Sequence, residues 1–221
     1  MMKYISIFDI VGPTMIGPSS SHTAGAVRLG LLARKIYGEK PESIKFTIYN
    51  SFAKTGKGHG TDKGLVGGIL GFNVDDSRIK NAYEYAQEIN IEFNRANNAN
   101  RHPNAVDIEF SGNTPMLISG NSLGAGEIQI TGVNSYKVDL RGDFPTLLLI
   151  YKDQPGMIWK VTKIIQEKNI NIASLNCERV EKGEEAFMSI CLDSLLPAEA
   201  IDKISEISEI YLVRNFDALE K

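Results

Sequence analysis

Two short stretches of this 221-residue sequence gather side chains suited to proton transfer and anion binding. Residues 17–25 read Gly-Pro-Ser-Ser-Ser-His-Thr-Ala-Gly. Ser19, Ser20 and Ser21 offer three hydroxyls, and His22 offers a ring that titrates near neutral pH. Leu29, Leu32, Ala33 and Ile36 follow at i, i+3, i+4 and i+7, which predicts a helix to about Tyr37, closed by Gly38 with Pro41 shortly after. Run backwards, that stripe takes in Ala26, Gly25 and His22, so His22 is expected to face the protein body. A helix start carries free N–H groups and a partial positive charge. With the hydroxyls beside it, such a start would hold a small carboxylate. The same residues also suit a plain structural role, one serine capping the helix and His22 sitting hydrogen-bonded in the core.

The second stretch, residues 54–62, reads Lys-Thr-Gly-Lys-Gly-His-Gly-Thr-Asp. Three glycines around or before His59 predict a loop whose backbone can approach a ligand closely. Thr61 and Asp62 are natural caps for a following helix that holds Gly64, Gly67, Gly68 and Gly71. Each glycine costs about 1 kcal/mol in a helix interior. Four on one face therefore predict a bare surface against which another backbone packs. The segment lacks the Gly-x-x-x-x-Gly-Lys-Ser/Thr spacing of a phosphate loop, which argues against a nucleotide site. The third histidine, His102, precedes Pro103 in a polar, asparagine-rich stretch and is expected on a mobile surface loop.

The elements around these stretches read as follows. An apolar segment spans 4–12, a strand 43–51 and a helix 77–90, with the mobile loop at 94–103. Strands are predicted at 105–110, 115–119, 126–133 and 135–140, with a glycine turn at 121–127. Residues 141–145 form a linker. Beyond it, strand 146–152, helix 156–168, strands 170–179 and 185–193, helix 197–208 and strand 210–216 make a βαββαβ order, a two-layer ferredoxin-like unit. The fold class is thus α+β, with a mixed α/β domain over 1–141 and a ferredoxin-like domain over 146–221.

Hydrophobic residues make up 43% and charged residues 23% of the chain, the balance of an ordinary globular protein. No apolar run approaches the length of a membrane span, and the N-terminus has no leader pattern, so a cytoplasmic protein without membrane attachment is expected. Cys177 and Cys191 are the only cysteines. They are not expected to form a disulfide in that compartment, and two thiols fall short of the roughly four ligands an iron–sulfur cluster needs. The net charge of −3 gives no reason to expect nucleic acid. Near the histidine motifs the excess is basic, with Arg28, Lys54, Lys57 and Lys63, which favours an anionic small molecule.

The two histidine motifs and their order resemble the signatures of iron–sulfur-dependent L-serine dehydratases, the L-serine ammonia-lyases. The tail resembles an ACT domain, a small-molecule-sensing module, through Asp153-Gln-Pro-Gly156 and Asn169-Ile-Asn-Ile172. The cysteine-bearing cluster domain of the complete enzyme is missing, so the chain resembles the beta subunit of the two-subunit form. Its first domain then resembles the allosteric substrate-binding domain of some phosphoglycerate dehydrogenases. The resemblance implies that a separate, cysteine-containing alpha subunit carries a [4Fe-4S] cluster, and that no metal is bound by this chain. The cluster would act as a Lewis acid on the oxygen of L-serine. Carried over residue by residue, it implies His22 and His59 as catalytic groups. Ser19, Ser20, Ser21, Thr23, Lys54, Gly58, Thr61 and Asp62 would bind substrate. Tyr151, Asp153, Gly156 and Asn171 would form an allosteric site for an amino acid or a monovalent cation. Edge-to-edge pairing of ACT domains would make a homodimer. The alternative is a purely regulatory, amino-acid-sensing subunit, which would not need two histidines on separate glycine-rich segments.

Overall fold

The computed structural model describes residues 15–220. The apolar segment 4–12 lies outside them. Two compact units emerge, one reaching Asn134 and joined by Glu220, the other Ser135–Leu219.

The first unit opens with a π-helical turn, Ser20–Ala24, that runs into helix α1 (Gly25–Tyr37). Gly38 ends α1 in the left-handed conformation at φ 71°, its N–H bonded to the Arg34 carbonyl. Strand β1 (Ser43–Tyr49) leads into helix α2 (Asn50–His59), and Gly60 separates this from helix α3 (Thr61–Ile69). A 3-10 segment (Ser77–Tyr85) precedes strands β2 (Asn90–Ala96), β3 (Ala105–Ser111), β4 (Met116–Gly124) and β5 (Glu127–Val133). These strands lie in the order β2-β1-β3-β4-β5. Only the β1–β2 pair is parallel. Its register sets Phe46 opposite Phe93, and the two rings stack at 4.7 Å.

Helix α1 packs its stripe of Leu29, Leu32, Ala33 and Ile36, all fully buried, against the inward residues of the sheet. On its other side α1 meets α3 with almost nothing between the backbones. A Cβ at Gly68 would lie 2.1 Å from the Val27 carbonyl oxygen, and one at Gly64 2.9 Å from the Thr23 carbonyl oxygen. The bare surface expected from glycine spacing therefore exists, built on Gly64 and Gly68. Gly67 instead faces Ile79 and Phe72, and Gly71 lies past the helix end at φ +87°.

Three expectations are corrected. Residues 54–62 are helical up to His59, not a loop; the turn is confined to Gly60, whose φ of +72° lets its N–H close α2 on the Gly56 carbonyl. The expected helix over 77–90 is a 3-10 segment, irregular at Asn81 (φ −125°), followed by β2, which pairs with β1. The asparagine-rich stretch is thus partly strand. The expected turn at 121–127 shrinks to Ala125 and Gly126, because β4 runs on to Gly124.

The second unit begins with strand β6 (Tyr136–Leu140). Strand β7 (Thr146–Lys152), helix α4 (Met157–Glu167), strands β8 (Ile172–Arg179) and β9 (Glu185–Leu192), helix α5 (Ala198–Ser205) and strand β10 (Ile210–Phe216) complete it. The sheet order β10-β7-β9-β8 is that of the expected βαββαβ unit. Alternate residues of β7, Leu147, Leu149 and Tyr151, pack on Val161 and Ile165 of α4 and on Ala200 and Ile204 of α5. Among the described residues no helix is long and apolar enough to cross a membrane.

Candidate active site

Ser19, extended at φ −143°, caps the π turn by accepting the His22 N–H at 3.1 Å. The N–H groups of Ser20 and Ser21, which precede it in the turn, have no acceptor among the described residues, as a helix start dictates. The turn is fastened from the sheet: buried Ser122 of β4 donates its hydroxyl to the Ser21 carbonyl at 2.8 Å. Gly25 leaves room for that contact, since a Cβ there would fall 2.1 Å from Ser122 Oγ.

These restraints hold His22 half-buried, as the stripe predicted. Its Nδ1 lies 3.0 Å from Ser21 Oγ and 3.5 Å from Ser19 Oγ. Its Nε2 lies 3.3 Å from Ser51 Oγ, at the start of α2. The ring stands edge-on to Phe52 at 5.3 Å and tilts toward the His59 ring, also at 5.3 Å. Burial, and secondly the nearby His59, lower the His22 pKa, so this imidazole is neutral at pH 7 and able to accept a proton.

His59 ends α2 with its ring exposed. Its Nδ1 is 3.1 Å from the Thr55 carbonyl oxygen, which can only accept. Nδ1 therefore carries a hydrogen in this contact. The Thr23 hydroxyl donates to the His59 carbonyl at 2.7 Å, tying the first motif to the second. Close packing of α1 on α3 and this single hydrogen bond thus bring the two histidines together.

The other predicted residues divide. Lys54 and Gly58 are exposed, with open space beside the Gly58 Cα. Thr61 is fully buried, and its Oγ1 has no partner among the described residues. Asp62 is engaged by Arg95 of β2, Oδ2 to Nη2 at 2.5 Å. In the second unit, Tyr151, Asp153 and Gly156 line one cleft of about 700 Å³ with Trp159, Cys177 and Arg179. Asp153 Oδ2 accepts from the Gly183 N–H at 3.1 Å and from Arg179 at 2.9 Å, and these two donors hold its carboxyl below the usual range. Asn171 is not in that cleft. It borders a separate hollow of about 550 Å³ and donates to Asp193 at 3.2 Å.

Comparison with known proteins matches two families to this chain, the serine dehydratase beta chain over residues 6–90 and the ACT domain over residues 146–209. The chain is 41% identical over 215 residues to the probable L-serine dehydratase beta chain of Bacillus subtilis (strain 168), covering 96% of this chain and 98% of that one. It is 42% identical over 200 residues to the L-serine dehydratase beta chain of Peptoniphilus asaccharolyticus, covering 88% and 90%. The chain belongs to the L-serine dehydratase beta-chain family. A third relative, L-serine dehydratase 2 of Escherichia coli (strain K12), is 36% identical over 94 residues, 39% of this chain and 20% of that one.

Both histidine motifs of this beta-chain family member fall inside the 6–90 match, whereas Arg95 and Ser122 fall outside both matches. Sequence reasoning missed four residues of the site: Ser51, Phe52, Arg95 and Ser122. Ser51 and Phe52 follow directly on an alternating strand, and strand ends are where scaffolds present functional groups; that signal was available. Arg95 and Ser122 act from 33 or more positions away, and no local pattern marks them.

The described side chains do not suit a cluster. Among the described residues no three His, Cys, Asp or Glu side chains converge. Cys177 pairs in register with Met188 while Cys191 pairs with Ser174, so the two thiols are not cross-strand neighbours.

Proposed function

We propose that this chain is the beta subunit of an L-serine dehydratase, a lyase that deaminates L-serine to pyruvate and ammonia together with a separate, cysteine-containing alpha chain. The [4Fe-4S] cluster belongs to that alpha chain, while the residues of this chain bind the substrate and move protons. The observation that carries the reading is the His22–His59 pair, 5.3 Å apart beside a turn of three serines. Loss of the α-proton and of hydroxide from serine leaves aminoacrylate and water, and hydrolysis of aminoacrylate gives pyruvate and ammonia. That sequence needs one group to take a proton and one to give it. The His22–His59 pair supplies the two, one ring taking a proton as the neutral imidazole and the other giving one from its imidazolium form. The N–H groups of Ser20 and Ser21, without an acceptor among the described residues, and the serine hydroxyls supply donors for the substrate carboxylate. Of the other residues proposed to bind substrate, Thr23 is bonded to the His59 carbonyl, Thr61 and Asp62 begin α3, and Lys54 and Gly58 are exposed on α2.

In the second unit an amino-acid zwitterion suits the cleft better than a bare cation, because Arg179 already neutralises Asp153. Calorimetric titration of the whole chain with L-serine and with potassium distinguishes the two.

The enzyme reading is tested by purifying the chain alone and with its alpha chain, anaerobically, and following pyruvate formation from L-serine. Pyruvate should form only in the mixture. A brown, active single chain would overturn the two-subunit reading, and an inactive but stable complex would leave the regulatory subunit.

A further inference from the structure

Helix α2 carries site residues at both ends. Ser51 and Phe52 touch His22 at its start, and His59 is its last residue. The helix is gripped by a stretch of chain, residues 95–103, that lies outside both family matches. Arg95 bridges the first turn of α2 and the helix that follows it. Its Nη2 lies 2.5 Å from Asp62 Oδ2 in the first turn of α3, and its Nη1 donates to the Ala53 carbonyl within α2 at 3.3 Å. Gly60, left-handed, sits between those two anchor points. A guanidinium bonded on both sides of a glycine break fixes the angle between the helices. It therefore fixes the direction in which His59 leaves α2.

Asp62 is the more covered partner, with the Arg95 and Asp62 side chains 29% and 14% exposed. The pair lies beside Gly56, where a Cβ would stand at ordinary contact distance, 3.4 Å from Asp62 Oδ1 and 3.5 Å from Arg95 Nη1. At the start of α2 the same stretch seats Asn50, whose φ of 49° is unusual for a side-chain-bearing residue. Its Nδ2 donates to the Asn98, Arg101 and His102 carbonyls at 2.9, 3.1 and 3.3 Å, and the Ser51 N–H donates to the Pro103 carbonyl at 2.8 Å.

We propose that Arg95 is a positioning residue for the His22–His59 pair, acting through Asp62 and the Ala53 carbonyl. The fork is essential to this role. Lysine would keep the charge but could not hold a carboxylate and a carbonyl in one plane.

The clamp leaves a trace that does not depend on catalysis. Proximity of His59 is the second cause of the lowered His22 pKa, and His59 is the one titratable group among the described residues that shifts it. Loosening α2 should let the His59 ring drift and the His22 midpoint rise toward the ordinary histidine value. NMR titration of the full chain, with labelled histidine, measures this in wild type, Arg95→Gln and Arg95→Lys. Arg78→Gln serves as the control, because Arg78 pairs with nearby Asp76 and touches none of the site residues.

Both Arg95 variants should raise the His22 midpoint, and the control should not. In the complex with the alpha chain, an arm that rests on the proposed function, both should lower kcat by about 10- to 100-fold with KM nearly unchanged. A folded Arg95→Lys or Arg95→Gln chain with an unmoved His22 midpoint overturns the proposal. A moved midpoint in a chain whose wild-type complex makes no pyruvate sustains the positioning role and overturns the enzyme reading.

Discussion

Replacing Gly68 by alanine tests how the two motifs are brought together. In an exposed helix the change would stabilise by about 1 kcal/mol. Here the new Cβ would lie 2.1 Å from the Val27 carbonyl oxygen, 2.7 Å from the Leu31 nitrogen and 2.9 Å from the Gly30 Cα. All three obstacles are backbone, so no side chain can swing away. Ordinary contact begins at 3.4 Å, and moving from 2.1 Å requires the helices to part by about 1.3 Å. Overpacking of this kind costs about 1–3 kcal/mol, and rigid obstacles place it at the upper end. After the helix-propensity gain, a net loss of about 2 kcal/mol is expected. Hydrogen exchange with peptide resolution is the assay, because the single tryptophan, Trp159, lies in the other unit. Amides of residues 25–37 and 61–69 should exchange about 30-fold faster, at tenfold per 1.4 kcal/mol. Gly58→Ala, in open space on α2, should instead slow exchange in its own helix. Unchanged or slower exchange in Gly68→Ala would refute the close-packing argument.

Two further outcomes follow from single contacts. Thr23→Val removes the donor to the His59 carbonyl, so the first unit should lose about 1–3 kcal/mol, turnover should fall, and Thr23→Ser should restore both. Glu209 is held at a pKa of about 2, chiefly by Lys160 and further by donors that include Gln154. A depressed carboxyl stabilises the fold above its unfolded pKa and loses that contribution as pH falls through the folded value. Melting of the second unit, followed by Trp159 fluorescence, should therefore weaken between about pH 4.5 and pH 2 in wild type, with a flatter dependence in Glu209→Gln.

Much of this architecture is legible in local pattern. The α1 stripe, the Gly38 stop and the βαββαβ order all follow from periodicity and turn residues, because each depends on neighbours a few positions away. The histidine motifs were legible through their residue types. What escaped was decided by distant partners. Residues 54–62 carry three glycines and read as a loop, yet they fold as helix up to His59 because Thr23 and Arg95 hold that helix from outside. The polar run around Arg95 and Asn98 reads as mobile, yet its backbone carbonyls are the seat of Asn50. Ser122 looked like hairpin chemistry, and only the approach of β4 to Gly25 shows that it fastens the serine turn.

The central claim is that His22 and His59 act together on one substrate. The most direct measurement is turnover of L-serine by the complex assembled with His22→Ala, His59→Ala and the double variant, each checked for an unchanged fold. Each single change should lower kcat by about 100-fold or more, and the double variant should fall well short of the product of the two losses, as expected for groups working as a unit. Near-normal turnover in both single variants would contradict the account and leave the histidines as structural residues.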